Sequence, residues 1–170
     1  MTIRFIFCFA LLSFLFHCCK DSGQKNNIVT QNFLDSLVEK QVGQLSYYIS
    51  MPTKYDIKEK EGPDFSVFYF ADSDTTAVTS FSGGMYFGNY PSEFLPKNDS
   101  CKIKTVDSQI LGKNSSWTIY ECDGEFAVQT IVDSKSGEGW NSQIHVFGHG
   151  KSKEDLDKIL AMYSTLRKKI

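Results

Sequence analysis

The chain has 170 residues, of which 41% are hydrophobic and 22% charged, and its formal net charge is −2. That length and balance suit a single globular domain able to bury a core without metals or other staples. Phosphate backbones are held by a clustered positive field, and nothing in this mildly acidic chain suggests such a surface, so nucleic acid is not expected as a partner.

The N-terminus has the layout of an export signal. Arg4 supplies a positive start, and Phe5 to Phe16 form an uncharged apolar block of twelve residues. A bilayer span takes about 20 residues, so the block is short for a transmembrane helix and right for a signal core. The block runs into Cys18-Cys19 and then a polar stretch beginning Lys20-Asp21-Ser22. A cysteine at that place resembles the lipobox of bacterial lipoproteins, in which the thiol takes a diacylglycerol and becomes the new N-terminus. With Cys18 as acceptor, Leu15 stands at −3 but His17 at −1; with Cys19, the small Cys18 stands at −1 but Phe16 at −3. Cys19 is favoured, because Lys20-Asp21 then follows it directly, as in the charged export tags of some surface lipoproteins. The expected organisation is a signal peptide over 1–18, a polar tether over 19–27 and one domain over 28–170. Loss of the signal removes Arg4 as its only charged residue and leaves a remainder at −3.

Phe33, Leu34, Leu37, Val38 and Val42 fall at helical spacing and predict a short amphipathic helix from Phe33 to Val42. Tyr47 to Met51 reads as a strand ended by Pro52, and Tyr55 to Lys60 alternates weakly. Glu61-Gly62-Pro63-Asp64 is a turn before the β run Phe65 to Phe70, and Asp72-Ser73-Asp74 makes the next turn. From Ala77 to Phe87 a long strand is interrupted by Gly83-Gly84, which implies a bulge or a close backbone approach. Residues 88–100 form a loop, Ile103 to Leu111 a strand, and Gly112 to Ser115 a turn. Trp117 to Cys122 and Phe126 to Val132 flank Asp123-Gly124, a hairpin signal with a physical basis in positive φ. Trp140 to Phe147 is one more strand, which Gly148 is expected to end. Ser152 then caps a helix whose stripe is Leu156, Ile159, Leu160, Tyr163 and Leu166, with Asp155 at the capping-box position.

About seven strands with a terminal helix predict an α+β domain, a mostly antiparallel sheet flanked by helices. The signal cysteine, Tyr48-Ile49-Ser50-Met51-Pro52, the Gly62-Pro63-Asp64 turn and a closing helix ending in Ser164-Thr165-Leu166 together resemble the PsbP-like, DcrB-like superfamily. That resemblance spans about residues 44–168 and implies an α/β/α sandwich in a small envelope lipoprotein. It implies an accessory or binding protein and brings no catalytic motif.

Several residue groups are candidate sites. His145 and His149, four apart, would face one side of a continuous strand and with an acid could ligate a metal. Cys101 and Cys122 are a candidate disulfide or two separate thiols; with no C-x-x-C, thioredoxin-like chemistry is not expected. Tyr86, Phe87, Tyr90 and Phe94, beside the Gly83-Gly84 pair, are a candidate aromatic binding surface. The same glycines have no Lys at P-loop spacing. Serines occur without a G-x-S-x-G turn, and neither Asp72 with Asp74 nor Asp155 with Asp157 suggests acid–base machinery. No cofactor is implied. The expected function is a non-enzymatic accessory or binding protein, held on the membrane by its lipid in the bacterial envelope, at the outer membrane or cell surface in preference to the inner membrane. Its expected partner is another envelope protein. The alternative is a small-ligand or metal-binding enzyme using the His145/His149 region.

Overall fold

The computed structural model describes residues 30–74, 80–96, 98–134, 139 and 141–169. The signal segment, both N-terminal cysteines, the tether and Trp140 lie outside the described residues. A helical segment over residues 30–35 (α1) leads into β1 (Val38–Gln41), β2 (Tyr47–Met51), β3 (Tyr55–Glu61), β4 (Phe65–Asp72) and β5 (Phe81–Gly88). Then follow β6 (Lys102–Ile110), β7 (Lys113–Cys122), β8 (Glu125–Asp133), β9 (Gln143–Gly150), α2 (Lys153–Ser164) and β10 (Arg167–Lys168). The main sheet has seven strands in the order β3-β4-β5-β9-β8-β7-β6, and the pairs throughout are antiparallel. Two three-stranded meanders are thus joined by β9, which inserts between β5 and β8. A smaller sheet has the order β1-β2-β10.

The mostly antiparallel α+β class agrees with the sequence, and so do the hairpins. At the β7–β8 turn Asp123 and Gly124 have φ of 53° and 83°, the double left-handed geometry of a two-residue hairpin loop. The β6–β7 turn has the same geometry at Leu111-Gly112, two residues before the predicted centre. Leu111 accepts this disfavoured conformation because its side chain is buried in the core.

Two local expectations are corrected. The helix predicted from Phe33 to Val42 ends near residue 35, closed by Ser36 N–H and Leu37 N–H donating to the carbonyls of Phe33 and Leu34. Val38–Gln41 instead pairs with β2, in the register Val38 to Met51 through Gln41 to Tyr48. The long-range pairing outweighs a helical pattern only about two turns long. Gly148 does not end β9, which continues to Gly150 paired on both sides. A Cβ at Gly148 would come within 2.7 Å of Ile159, so glycine there lets α2 lie close on the sheet. Of the two alternatives for Gly83-Gly84, the close approach holds: the register with β4 and β9 runs through it unbroken, and a Cβ at Gly83 would stand 2.3 Å from the Phe147 carbonyl oxygen.

The core lies between the main sheet and a layer formed by α1, α2 and the small sheet. Phe68, Phe70, Met85, Phe87, Trp117, Ile144 and Val146 point into it, against Tyr47, Ile49, Ile159, Met162 and Tyr163. Phe33 of α1 packs edge-on to Phe81, and Tyr47 of β2 tilts against Phe87, so both elements sit on the α2 side. An α/β/α sandwich is not seen among the described residues: both helices cover one face of the sheet. Among the described residues, the opposite face carries the 89–96 loop and is otherwise open.

Candidate functional site

Strand alternation decides what the open face presents. From β4 come Phe65 and Tyr69, from β5 Gly84 and Tyr86, and from β9 His145, Phe147 and His149. From β8 come Glu125, Ala127 and Gln129, and from β7 Tyr120 and Cys122. Tyr69, Gly84 and Phe147 are cross-strand partners in one row. A Cβ at Gly84 would stand 2.7 Å from Phe147 Cζ, so the glycine leaves room for the Phe147 ring to cross the sheet and meet Tyr69 at 6.1 Å between centroids. Phe94, from the loop, packs edge-on against Phe147 at 5.0 Å and tilts on His145 at 5.1 Å.

The loop is held down by a buried polar network. Gln129 Oε1 accepts the Phe94 N–H at 2.8 Å, and Gln129 Nε2 donates to the Phe94 carbonyl at 2.9 Å. Tyr120 Oη donates to the same carbonyl at 3.0 Å and receives Gln129 Nε2 at 3.1 Å. His145 Nε2 lies 2.9 Å from Gln129 Oε1. A backbone N–H only donates, so the oxygen of Gln129 must face Phe94, and His145 Nε2 must then carry a proton to share that oxygen. Burial pushes the His145 pKa down to about 4, which keeps the ring neutral.

Beside this network a cleft of about 280 Å³ opens between the loop and the sheet. Phe94, Leu95 and Pro96 form its wall, and Tyr120, Cys122, Glu125, Ala127 and His149 complete the lining. Ala127 pairs with Tyr120 on one side and His149 on the other, so a methyl group stands where both neighbours carry rings. That size difference makes the hollow. Cys122 is bridged to Cys101, which ties the end of β7 to the start of β6. Beside Cys122, its cross-strand partner Glu125 has Oε2 3.3 Å from His149 Nε2, with both side chains nearly half exposed. A second, wider groove of about 580 Å³ between α1, α2 and β6 is lined mainly by polar side chains such as Asp107, Asn114 and Lys153.

The residues singled out in the sequence are distributed differently from expectation. His145 and His149 do share one face, but four residues of strand separate them by about 13 Å, too far for one metal. One is buried against Gln129 and the other pairs with Glu125 at the rim. The aromatic surface of Tyr86, Phe87, Tyr90 and Phe94 does not assemble, because alternation sends Phe87 into the core against Tyr47 and Phe68. Tyr86 stacks on Phe65 at 5.6 Å, Tyr90 stands exposed in the loop, and of the four only Phe94 reaches the cleft. Sequence reasoning missed Gln129, Ala127, Tyr120 and Leu95. The alternation of β8 marks Ala127 and Gln129 as facing away from Val128 and Thr130, but the loop that Gln129 engages is remote in sequence. No family model, curated protein or solved structure matches this chain.

Proposed function

We propose that this chain is an exported, lipid-anchored protein of the bacterial cell envelope that acts as a non-enzymatic accessory or binding protein through the open face of its sheet. One observation carries the binding part of this reading. Of six large hydrophobic side chains exposed among the described residues, five (Tyr69, Tyr90, Phe94, Leu95 and Ile103) belong to the open face or its loop. Isolated exposed apolar residues are ordinary, whereas their concentration on one face marks an interaction surface. The anchoring part rests on the apolar block ending in Cys18-Cys19 and the polar Lys20-Asp21 that follows. Two or more acyl chains make such an anchor stable. The sequence resemblance to the PsbP-like, DcrB-like superfamily, whose α/β/α sandwich is not seen among the described residues, agrees with an accessory role, and the Lys20-Asp21 tag with the outer membrane or cell surface.

The test is to express the full-length gene in a bacterial host and weigh the product beside Cys18→Ser and Cys19→Ser variants. Loss of the signal together with acylation, abolished by one variant, is the expected result. An unacylated product overturns the anchor. For the binding part, Tyr69→Ser and Ile103→Ser should leave the fold intact and weaken engagement of a purified envelope partner. A purified domain that turns over a substrate, and stops when one polar residue is changed, overturns the non-enzymatic role.

A further inference from the structure

Resting on that reading of the open face, we infer that the cleft beneath Phe94–Pro96 is a binding site for a small amine, a compact aliphatic or aromatic body carrying one ammonium group. The volume sets the size. About 280 Å³ is the space of roughly nine waters at about 30 Å³ each, which suits one ring with a short chain and lies at the small end of ligand sites. The lining sets the body, because Phe94, Leu95, Pro96, Tyr120 and Ala127 offer carbon to a ligand. Tyr120 Oη is already committed to the Phe94 carbonyl and Gln129, so it does not ask for a polar ligand atom.

The charge sets the head group. Among the described residues of the lining, Glu125 is the one acid, and none is Lys or Arg. Lys102 and Lys104 of β6 are engaged by Glu121. Register places Glu121 on the other face of the sheet from Glu125. An ammonium lodged in the cleft would meet the Glu125 carboxylate beside His149, whereas a carboxylate there would be repelled. The walls are in place before any ligand arrives, because the Gln129 bonds hold the loop and the Cys101–Cys122 bridge holds the floor. A preformed site loses little ordering entropy on binding.

The test is an NMR titration of the exported chain, purified as the host matures it, with 2-phenylethylamine, 2-phenylethanol and 3-phenylpropionate. The amine should bind at least tenfold more tightly than the alcohol, the acid should be weakest, and shifts should centre on the Ala127 and Leu95 methyls. Glu125→Gln should remove the preference for the amine while the alcohol still binds. Ala127→Leu, filling the hollow, should block both. If amine and alcohol bind equally at those methyls, the amine assignment is overturned and the face remains a binding surface. If neither shifts them in the folded chain, the cleft site is overturned, while the Tyr69 and Ile103 variants still decide the larger reading.

Discussion

Gln129 grips the backbone of Phe94 from both sides, its Oε1 taking the N–H at 2.8 Å and its Nε2 giving to the carbonyl at 2.9 Å. One side chain thereby does for the 89–96 loop what a neighbouring strand does for a sheet edge. Gln129 is itself buried, and both ends of its amide are occupied, with Tyr120 and His145 as further partners.

Gln129→Leu removes this grip and leaves buried polar groups of Tyr120, His145 and Phe94 short of partners. Each net bond contributes about 1 kcal/mol and each orphaned buried group costs about 1–3 kcal/mol, so a loss of about 3 kcal/mol is expected after partial relaxation of the loop to water. Urea unfolding measures that loss. Hydrogen exchange adds the local readout: the Phe94 amide should lose its protection, while amides in the middle of β9 should keep most of theirs.

His145 makes stability depend on pH. Burial lowers its pKa from 6.5 to about 4, so between those values the unfolded chain holds more protons than the folded one. Stability therefore rises with pH through that window, is fully present above about 6.5, and is lost as pH falls toward about 4. Urea midpoints at pH 7 and pH 5 should differ in the natural chain and converge in His145→Gln. An equal slope in both proteins would assign the effect to other groups.

The Gly83-Gly84 pair is set by close approach from both faces. On the core side, a Cβ at Gly83 would stand 2.3 Å from the Phe147 carbonyl oxygen and 2.7 Å from Phe70. The buried Tyr163 hydroxyl reaches the Gly84 and Phe147 carbonyls there, at 2.7 Å each. Backbone at 2.3 Å has little freedom to yield, so Gly83→Ala should destabilise by about 3 kcal/mol, at the upper end of overpacking costs. Tyr163→Phe removes only the hydroxyl and should cost about 1–2 kcal/mol. Thermal unfolding of the two variants should rank them in that order.

The Cys101–Cys122 bridge closes a loop over the β6–β7 hairpin with a sequence separation of 21. A loop of that size is expected to contribute about 3 kcal/mol, mainly by restricting the unfolded chain. Cys101→Ser with Cys122→Ser should lower the urea midpoint accordingly and leave the far-UV spectrum unchanged. A midpoint unmoved by reduction would show that the paired strands already impose the restriction.

Elements with strong local chemistry were legible in the sequence. Asp123-Gly124 specifies its hairpin because two left-handed residues in a row are cheap there. Ser152 and Asp155 start α2 by exchanging hydrogen bonds at the helix entrance, whatever the helix packs on. The β runs at Tyr47–Met51 and Phe65–Phe70, rich in aromatic and branched residues and bounded by Pro52 and by turn residues, are strands for the same local reason. Tertiary structure decided the rest, since the deciding partners are far away along the chain. Val38–Gln41 became a strand because β2 offered it a ladder, and Glu39 then found Arg167 and Lys169 across the small sheet. Phe87 turned from a presumed surface to the core because the register of β5 sends it to the same side as Met85. The cleft exists only where a loop, an alanine between two rings and a glutamine remote from the loop coincide. Composition and spacing carry no record of such a meeting, because it is made by register and chain return, not by any one segment.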